Sequence, residues 1–352
     1  MVLVLGVSAG ASGARAILAH SDQAHQDPID HWVQPRRPGG DVGDAVCASI
    51  RAMESAASAR GELITATAVS YRTEAHADSV REAVNTSYRD PVRLVWEPAA
   101  QLRYLRFTGR LPKSGTVILY DLGSSGLTLT LSDCESGVAL RSRRSELLGG
   151  DEGDALLQRR LTRAGITADL PTSRHYKEQL GIHRIVTAED DASGHRIVLT
   201  RNDLAELETA GIHHSTSYIR QLVEETGSKP EAIVLLGGCA RSPFIQNWLE
   251  QSLDIPVITQ AQPEFVSARG ALLLAGDRPA RVIRAARQAG SAAPTARPTS
   301  RRKLLAALAV TGVLAGTAGG LILTSQDSAE SSTDGNTPTP VEVAGVPSQP
   351  FP

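Results

Sequence analysis

Lysine is almost missing from this chain of 352 residues: Lys113, Lys177, Lys229 and Lys303 are the only four among 36 basic residues, set against 38 acids and a net charge of −2. No basic cluster is interleaved with the sparse aromatics, which argues against nucleic acid as a partner. Cysteine is as scarce. Cys47, Cys134 and Cys239 lie far apart with no C-x-x-C pair, so they fit a reducing compartment and small apolar packing rather than a disulfide scaffold. The histidines form no H-x-x-x-H pattern, and His213-His214 reads as a solvated or packed pair rather than a metal site. No charged segment leading into a cleavable apolar stretch opens the chain, so no signal peptide is expected. Abundant alanine beside so little lysine points to a GC-rich bacterial genome.

What is present begins with one long apolar run. Residues 304–324, LLAALAVTGVLAGTAGGLILT, number 21 without a charge, enough for a helix to cross ~30 Å of hydrocarbon. Arg278, Arg281, Arg284, Arg287, Arg297, Arg301, Arg302 and Lys303 precede the run, while Asp327, Glu330, Asp334 and Glu342 follow it. By the positive-inside rule this predicts a single-pass protein of the bacterial plasma membrane, its N-terminal part cytoplasmic and its C-terminal tail extracytoplasmic. Gly312, Gly316 and Gly320 share one face of that helix, a spacing that allows close helix contact and a homodimer. Residues 276–303 read as a basic juxtamembrane linker, and 325–352, rich in Pro, Ser and Thr, as a disordered tail.

Residues 1–275 alternate two patterns. Strand-like runs occur at Val2–Val7, Ile64–Ser70, Val92–Trp96, Val117–Tyr120, Leu127–Leu131, Ile197–Thr200 and Ile233–Leu236. Helical stretches occur at Asp44–Ala59, Ala75–Ser87, Gly153–Ala164, Arg201–Thr226 and Ser242–Ser252. The alternation predicts an α/β architecture. One device occurs twice: VLVLGVSAGASGARAIL (Val2–Leu18) and TVILYDLGSSGLTLTLSD (Thr116–Asp133) each join two apolar runs through a turn of small residues. Such a turn lets backbone N–H groups converge into an anion nest, and glycine lets a phosphate approach the main chain. Two facing copies could grip a polyphosphate from both sides. Only the second copy carries an acid, Asp121, before its turn.

Five segments in order extend this reading: LVWEPAAQLRYL (Leu94–Leu105), YDLGSSGLTLTL (Tyr120–Leu131), LLGGDEGDALLQRRL (Leu147–Leu161), LLGGCARSPFIQNWLEQSL (Leu235–Leu253) and QPEFVSARGALLLA (Gln262–Ala275). Together they resemble the nucleotide-binding domain of the DnaK-type heat-shock 70 chaperones. The resemblance implies a two-lobed actin-like ATPase fold, related to ribonuclease H, with ATP or ADP and Mg2+ as cofactors. It also implies roles for individual residues. Asp121 would hold a magnesium-bound water near the γ-phosphate, and Glu97 would sit at the hinge of the cleft as a second catalytic carboxylate. Gly123, Ser124 and Ser125, with Gly10 and Ser12 of the first hairpin, would offer amides to the phosphates. Gly149, Gly150, Gly237, Gly238, Arg241, Glu264 and Lys177 would bind the rest of the nucleotide.

The sequence also departs from that family. Ser8 stands where the family has an aspartate, Thr128 replaces a later acid, and the stretch carrying the family's catalytic lysine is missing. Phosphoryl transfer rests on positioning and charge neutralisation, and one lost electrostatic stabiliser costs ~3–4 kcal/mol. Hydrolysis is therefore expected to be slow or absent, although a nucleotide could still bind. The span at 304–324 also leaves no room for a peptide-clamping β-sandwich. The leading expectation is a nucleotide-responsive sensor or scaffold with an unidentified protein partner. A working ATPase and a purely structural tether for cell-division or envelope proteins are the alternatives.

Overall fold

The computed structural model describes residues 2–22, 27–88 and 91–277. Among them no helix is long and apolar enough to cross a membrane. The expected span at 304–324, the tail, and the linker from residue 278 onward lie outside the described residues.

The repeated hairpin is the start of a repeated lobe. In the first, β1 (Leu3–Gly10), β2 (Gly13–His20) and β3 (Asp30–Pro35) form an antiparallel meander. After α1 (Val42–Ala59), β4 (Ile64–Tyr71) adds parallel to β1, and after α2 (Glu74–Ser87), β5 (Arg93–Trp96) adds parallel to β4. In the second, β6 (Thr116–Gly123), β7 (Gly126–Asp133) and β8 (Ala139–Ser145) repeat the meander. There β11 (Pro230–Leu236) and, after α7 (Pro243–Ser252), β12 (Val257–Ile258) repeat the parallel additions. The sheet orders are β3-β2-β1-β4-β5 and β12-β11-β6-β7-β8. Between β8 and β11 the second lobe inserts α4 (Gly150–Arg163), α5 (Leu170–Ile182), the hairpin β9 (Ile185–Glu189) and β10 (Arg196–Thr200), and α6 (Arg201–Thr226). The first lobe has only α1 at the corresponding place.

The two lobes exchange helices. Helix α3 (Glu97–Phe107) follows the first sheet but packs Leu102 and Leu105 on Val117, Leu119, Val234 and Leu236 of the second. Helix α8 (Val266–Gly276) follows the second sheet but packs Ala268, Ala271 and Leu272 on Val4, Ile17 and Ala68 of the first. The crossing needs glycine. A Cβ on Gly270 would lie 1.8 Å from the Ala100 carbonyl oxygen, and one on Gly6 would lie 2.1 Å from that of Ala268.

Local chemistry accounts for most boundaries. The Asp41 side chain caps α1 by accepting from the Gly43 N–H, and Thr200 with Asp203 closes a capping box at the start of α6. Helix α6 stops at Gly227, whose φ of 60° is left-handed. The sequence pattern missed β3 and β8, whose side chains are exposed or half-buried and so alternate weakly, and it also missed β9 and β12. It also missed α5, which buries only Ser173 and Leu180, and α3, whose first turn holds Pro98.

Candidate functional site

Both hairpin turns face one cavity of about 710 Å³, a volume suited to a small-molecule ligand. They share a geometry: Gly10 pairs with Gly13 and Gly123 with Gly126, leaving two residues at each tip. The fourth residue of each turn must be glycine. Gly13 has φ 139° and Gly126 has φ 137°, and a Cβ would meet the Gln34 carbonyl oxygen at 2.0 Å or that of Ser145 at 2.4 Å. The registers place Ser8 opposite Arg15 in the first hairpin and Asp121 opposite Thr128 in the second. Of the residues expected at the site, Gly10, Ser12, Glu97, Asp121, Gly123, Ser124, Gly149, Gly150, Lys177, Gly237, Gly238, Arg241 and Glu264 line the cavity. Ser125 does not. Its carbonyl and hydroxyl accept from Arg144 Nη2 at 2.6 and 2.8 Å, which turns it outward and braces the tip of the second hairpin.

A residue that the motifs did not mark holds the centre. Arg72 follows the carboxyl end of β4, and its Nε donates to Glu97 Oε2 at 2.7 Å while Nη2 donates to Asp121 Oδ2 at 3.1 Å. Gln101 Nε2 donates to the same Asp121 oxygen at 2.7 Å, and the Ser267 hydroxyl donates to Glu97 Oε1 at 3.1 Å. All three charged side chains are nearly buried, 12% exposed for Arg72, 8% for Glu97 and 7% for Asp121. Burial pushes the Glu97 carboxyl up, with Arg72 opposing and Asp121 adding to the rise. Burial alone would weaken the Arg72 cation, but the Glu97 and Asp121 charges outweigh it and hold its pKa above the ordinary value. The signal that could have found Arg72 is its place at the carboxyl end of an inner parallel strand, where ligand sites of open α/β sheets gather.

At the far end of the cavity the charges are already paired. Lys177 donates to the Gly150 carbonyl and forms an ion pair with Asp154 at 2.5 Å. Arg174 bridges Asp154 and Asp151, each at 2.8 Å. Arg241 grips Glu264 with two hydrogen bonds, one of them Nε to Oε2 at 3.0 Å. Gly149 and Gly237 act by close packing. A Cβ on Gly149 would lie 2.6 Å from the Gly126 nitrogen, and one on Gly237 would lie 2.3 Å from the Leu122 carbonyl oxygen. Cys239 lines the wall as an inert thiol, its pKa pushed up to about 11 by burial despite Lys177 nearby.

Glu208, on the same wall, gives a pH signature. Burial pushes its carboxyl up to about 6, Lys177 opposes and Asp154 adds. Because the folded value lies above the unfolded one, its protonated form favours the fold. Its contribution is complete below about pH 4.5 and is lost as pH rises to about 6. Urea titrations of wild type and Glu208→Gln should show the wild type losing about 2 kcal/mol relative to the variant across that window. A constant difference would show that Glu208 is not held this way.

Residues 150–279 match the Hsp70 protein family. Over 240 residues the chain is 26% identical to a chaperone protein HscA homolog of Shewanella denitrificans, covering 62% of this chain and 38% of that protein. It is 26% identical over 267 residues to the chaperone protein HscA of Citrobacter koseri, covering 70% and 42%, and 28% over 231 residues to an HscA homolog of Azotobacter vinelandii, covering 61% and 37%. The chain thus spans about two fifths of the length of these relatives. Over part of its length the chain is therefore similar to Hsp70-type proteins. Its two five-stranded mixed sheets fit the actin-like ATPase fold.

The Hsp70-type resemblance implies a magnesium ion held through water at Asp121, and the residues here do not fit one. Asp121 Oδ2 already accepts from both Arg72 and Gln101. The position of the first family acid is the neutral Ser8, and Thr128 stands at the second. Among the described residues no cluster of three or more His, Cys, Asp or Glu could hold a metal ion. A guanidinium occupies the centre of the acid pair where a cation would be sought.

Proposed function

We propose that this chain is an Hsp70-type protein that binds an adenine nucleotide, ATP or ADP, and hydrolyses it slowly or not at all. It would act as a sensor or scaffold at the cytoplasmic face of the bacterial membrane. The observation that carries the nucleotide reading is the pair of glycine hairpins opening onto one cavity, with Gly237 and Gly238 along its wall. Tips built from Ala11, Ser12, Ser124 and Ser125 put no bulky side chain between phosphate and main chain. The slow turnover follows from the missing groups. With Ser8 and Thr128 in place of the acids that would hold a metal, and no lysine in the first lobe, neither a metal ion nor a lysine is positioned to stabilise the charge developing on the γ-phosphate. Glu97 is a poor substitute base, because Arg72 and Ser267 occupy its two oxygens. The uncharged run at 304–324 and the arginines before it support the anchor, with the tail outside the membrane.

Isothermal titration of the full chain with ATP and with ADP, beside a phosphate-release assay, tests the reading. Saturable binding with turnover no faster than the background of free ATP is the outcome it requires. No heat with either nucleotide would overturn it, and rapid phosphate release would favour a working ATPase. Alkaline extraction of membranes checks the anchor, which fails if the chain comes away with the soluble fraction.

A further inference from the structure

The cleft is charged in an unusual way for a metal-assisted nucleotide site, and two arginines are responsible. Arg72 uses two of its five N–H groups on Glu97 and Asp121, so three remain. Its Nη1 stands at the mouth of the second hairpin, 3.1 Å from where a Cβ of Gly123 would be. Arg15, on β2 of the same lobe, reaches in beside the first hairpin. Its Nη1 lies 3.9 Å from a Cβ built on Gly10 and its Nη2 lies 3.9 Å from one built on Gly238, so the guanidinium spans from the first hairpin toward the opposite wall. Arg15 lines the cavity, and no acceptor among the described residues pairs with it. Every other cation on the cavity wall, namely Arg72, Arg174, Lys177, Arg201 and Arg241, is committed to an acid or a carbonyl.

We propose that the cleft takes its nucleotide as the metal-free polyphosphate anion, with Arg72 and Arg15 supplying the positive charge that a magnesium ion would otherwise bring. This rests on the nucleotide reading above and adds the form in which the ligand binds. Arg72 sits between Glu97 and Asp121 at bonding distance to both, so a metal entering there must first expel a buried guanidinium. A guanidinium is a planar fork suited to two phosphate oxygens at once, and it carries its charge at every physiological pH. Arg15, lacking a protein acceptor, is the group that a phosphate chain would complete. The loss of the acid at Ser8 then has a purpose, since a carboxylate opposite Arg15 would pair with it and repel the ligand.

Titration of the full chain with ATP and with ADP, in excess EDTA and separately in excess Mg2+, tests the proposal. The dissociation constant in EDTA should equal or undercut that in Mg2+. Arg15→Ala should weaken binding by about ten- to a hundredfold in EDTA, the loss of charge-assisted hydrogen bonds to phosphate. Arg72→Ala should lose binding in EDTA and regain part of it with Mg2+, because it frees Glu97 and Asp121 for a cation. If Arg72→Ala fails to fold, the wild-type comparison and Arg15→Ala still decide. Binding that appears only with Mg2+ would overturn the proposal while leaving the nucleotide reading intact. No binding under either condition would overturn both, and unchanged affinity in Arg15→Ala would remove the arginine from the site.

Discussion

Arg72→Leu lowers the stability of the folded chain by about 3–5 kcal/mol, the usual cost of removing one partner from a buried ion pair. Arg72 faces two carboxylates, and after its loss Glu97 and Asp121 would share an interior site with only Gln101 and Ser267 to satisfy them. The loss also has a pH dependence. The Glu97 carboxyl is already pushed up by burial, and without Arg72 it rises further. A raised carboxyl favours the fold when protonated, so the deficit of the variant shrinks as pH falls through the range in which Glu97 takes up a proton. Adding Glu97→Gln and Asp121→Asn to Arg72→Leu removes the stranded charges and should recover most of the loss. Chemical denaturation of the three proteins at two pH values is the check. A single variant as stable as wild type would mean that the three side chains do not form one buried network.

Gly270→Val is expected to cost at least about 3 kcal/mol, the upper end of the usual range for overpacking. The obstruction is the main chain of Ala100. A Cβ at Gly270 would lie 1.8 Å from the carbonyl oxygen and 2.3 Å from the carbonyl carbon of Ala100, so α3 and α8 must separate to admit it. Separation would pull α3 from Val234 and Leu236 and α8 from Val4 and Ala68, loosening both lobes at once. Gly181→Ala in α5 is the control, because nothing lies within 4 Å of a Cβ there. It should be neutral or stabilise by about 0.4–1 kcal/mol through the unfolded chain. If thermal melts showed Gly270→Val as mild as Gly181→Ala, the helix exchange between lobes would be misassigned.

The repeat was visible in the sequence because its two hairpins are built from inner strands, buried on both faces and therefore continuously apolar. Helix α6 was legible over Arg201–Thr226 because a capping box opens it and a glycine closes it. The rest of each lobe was harder to read. Strands β3 and β8 carry no fully buried side chains, and α3 and α8 take their meaning from packing on the lobe that does not precede them.

The site divides along the same line. Its glycines could be read from the chain, since a turn of small residues between apolar strands has a local pattern. Arg72, Arg15 and Gln101 could not, because each acquires its role only when the lobes meet. Arg72 is one arginine after a strand until the fold sets it against Asp121, 49 residues away in the chain. Lys177 was proposed through the family resemblance, but its partner Asp154 was not, so its commitment to an ion pair inside the lobe was hidden.

A crystal structure of the full chain grown with ATP and without divalent cations tests the central claim most directly. The account predicts phosphate oxygens within hydrogen-bonding distance of the amides at Ser12 and Ser124, Arg15 turned onto them, and Arg72 still on Glu97 and Asp121. Phosphates found away from both hairpins, or a cleft that stays closed to the nucleotide, would contradict it.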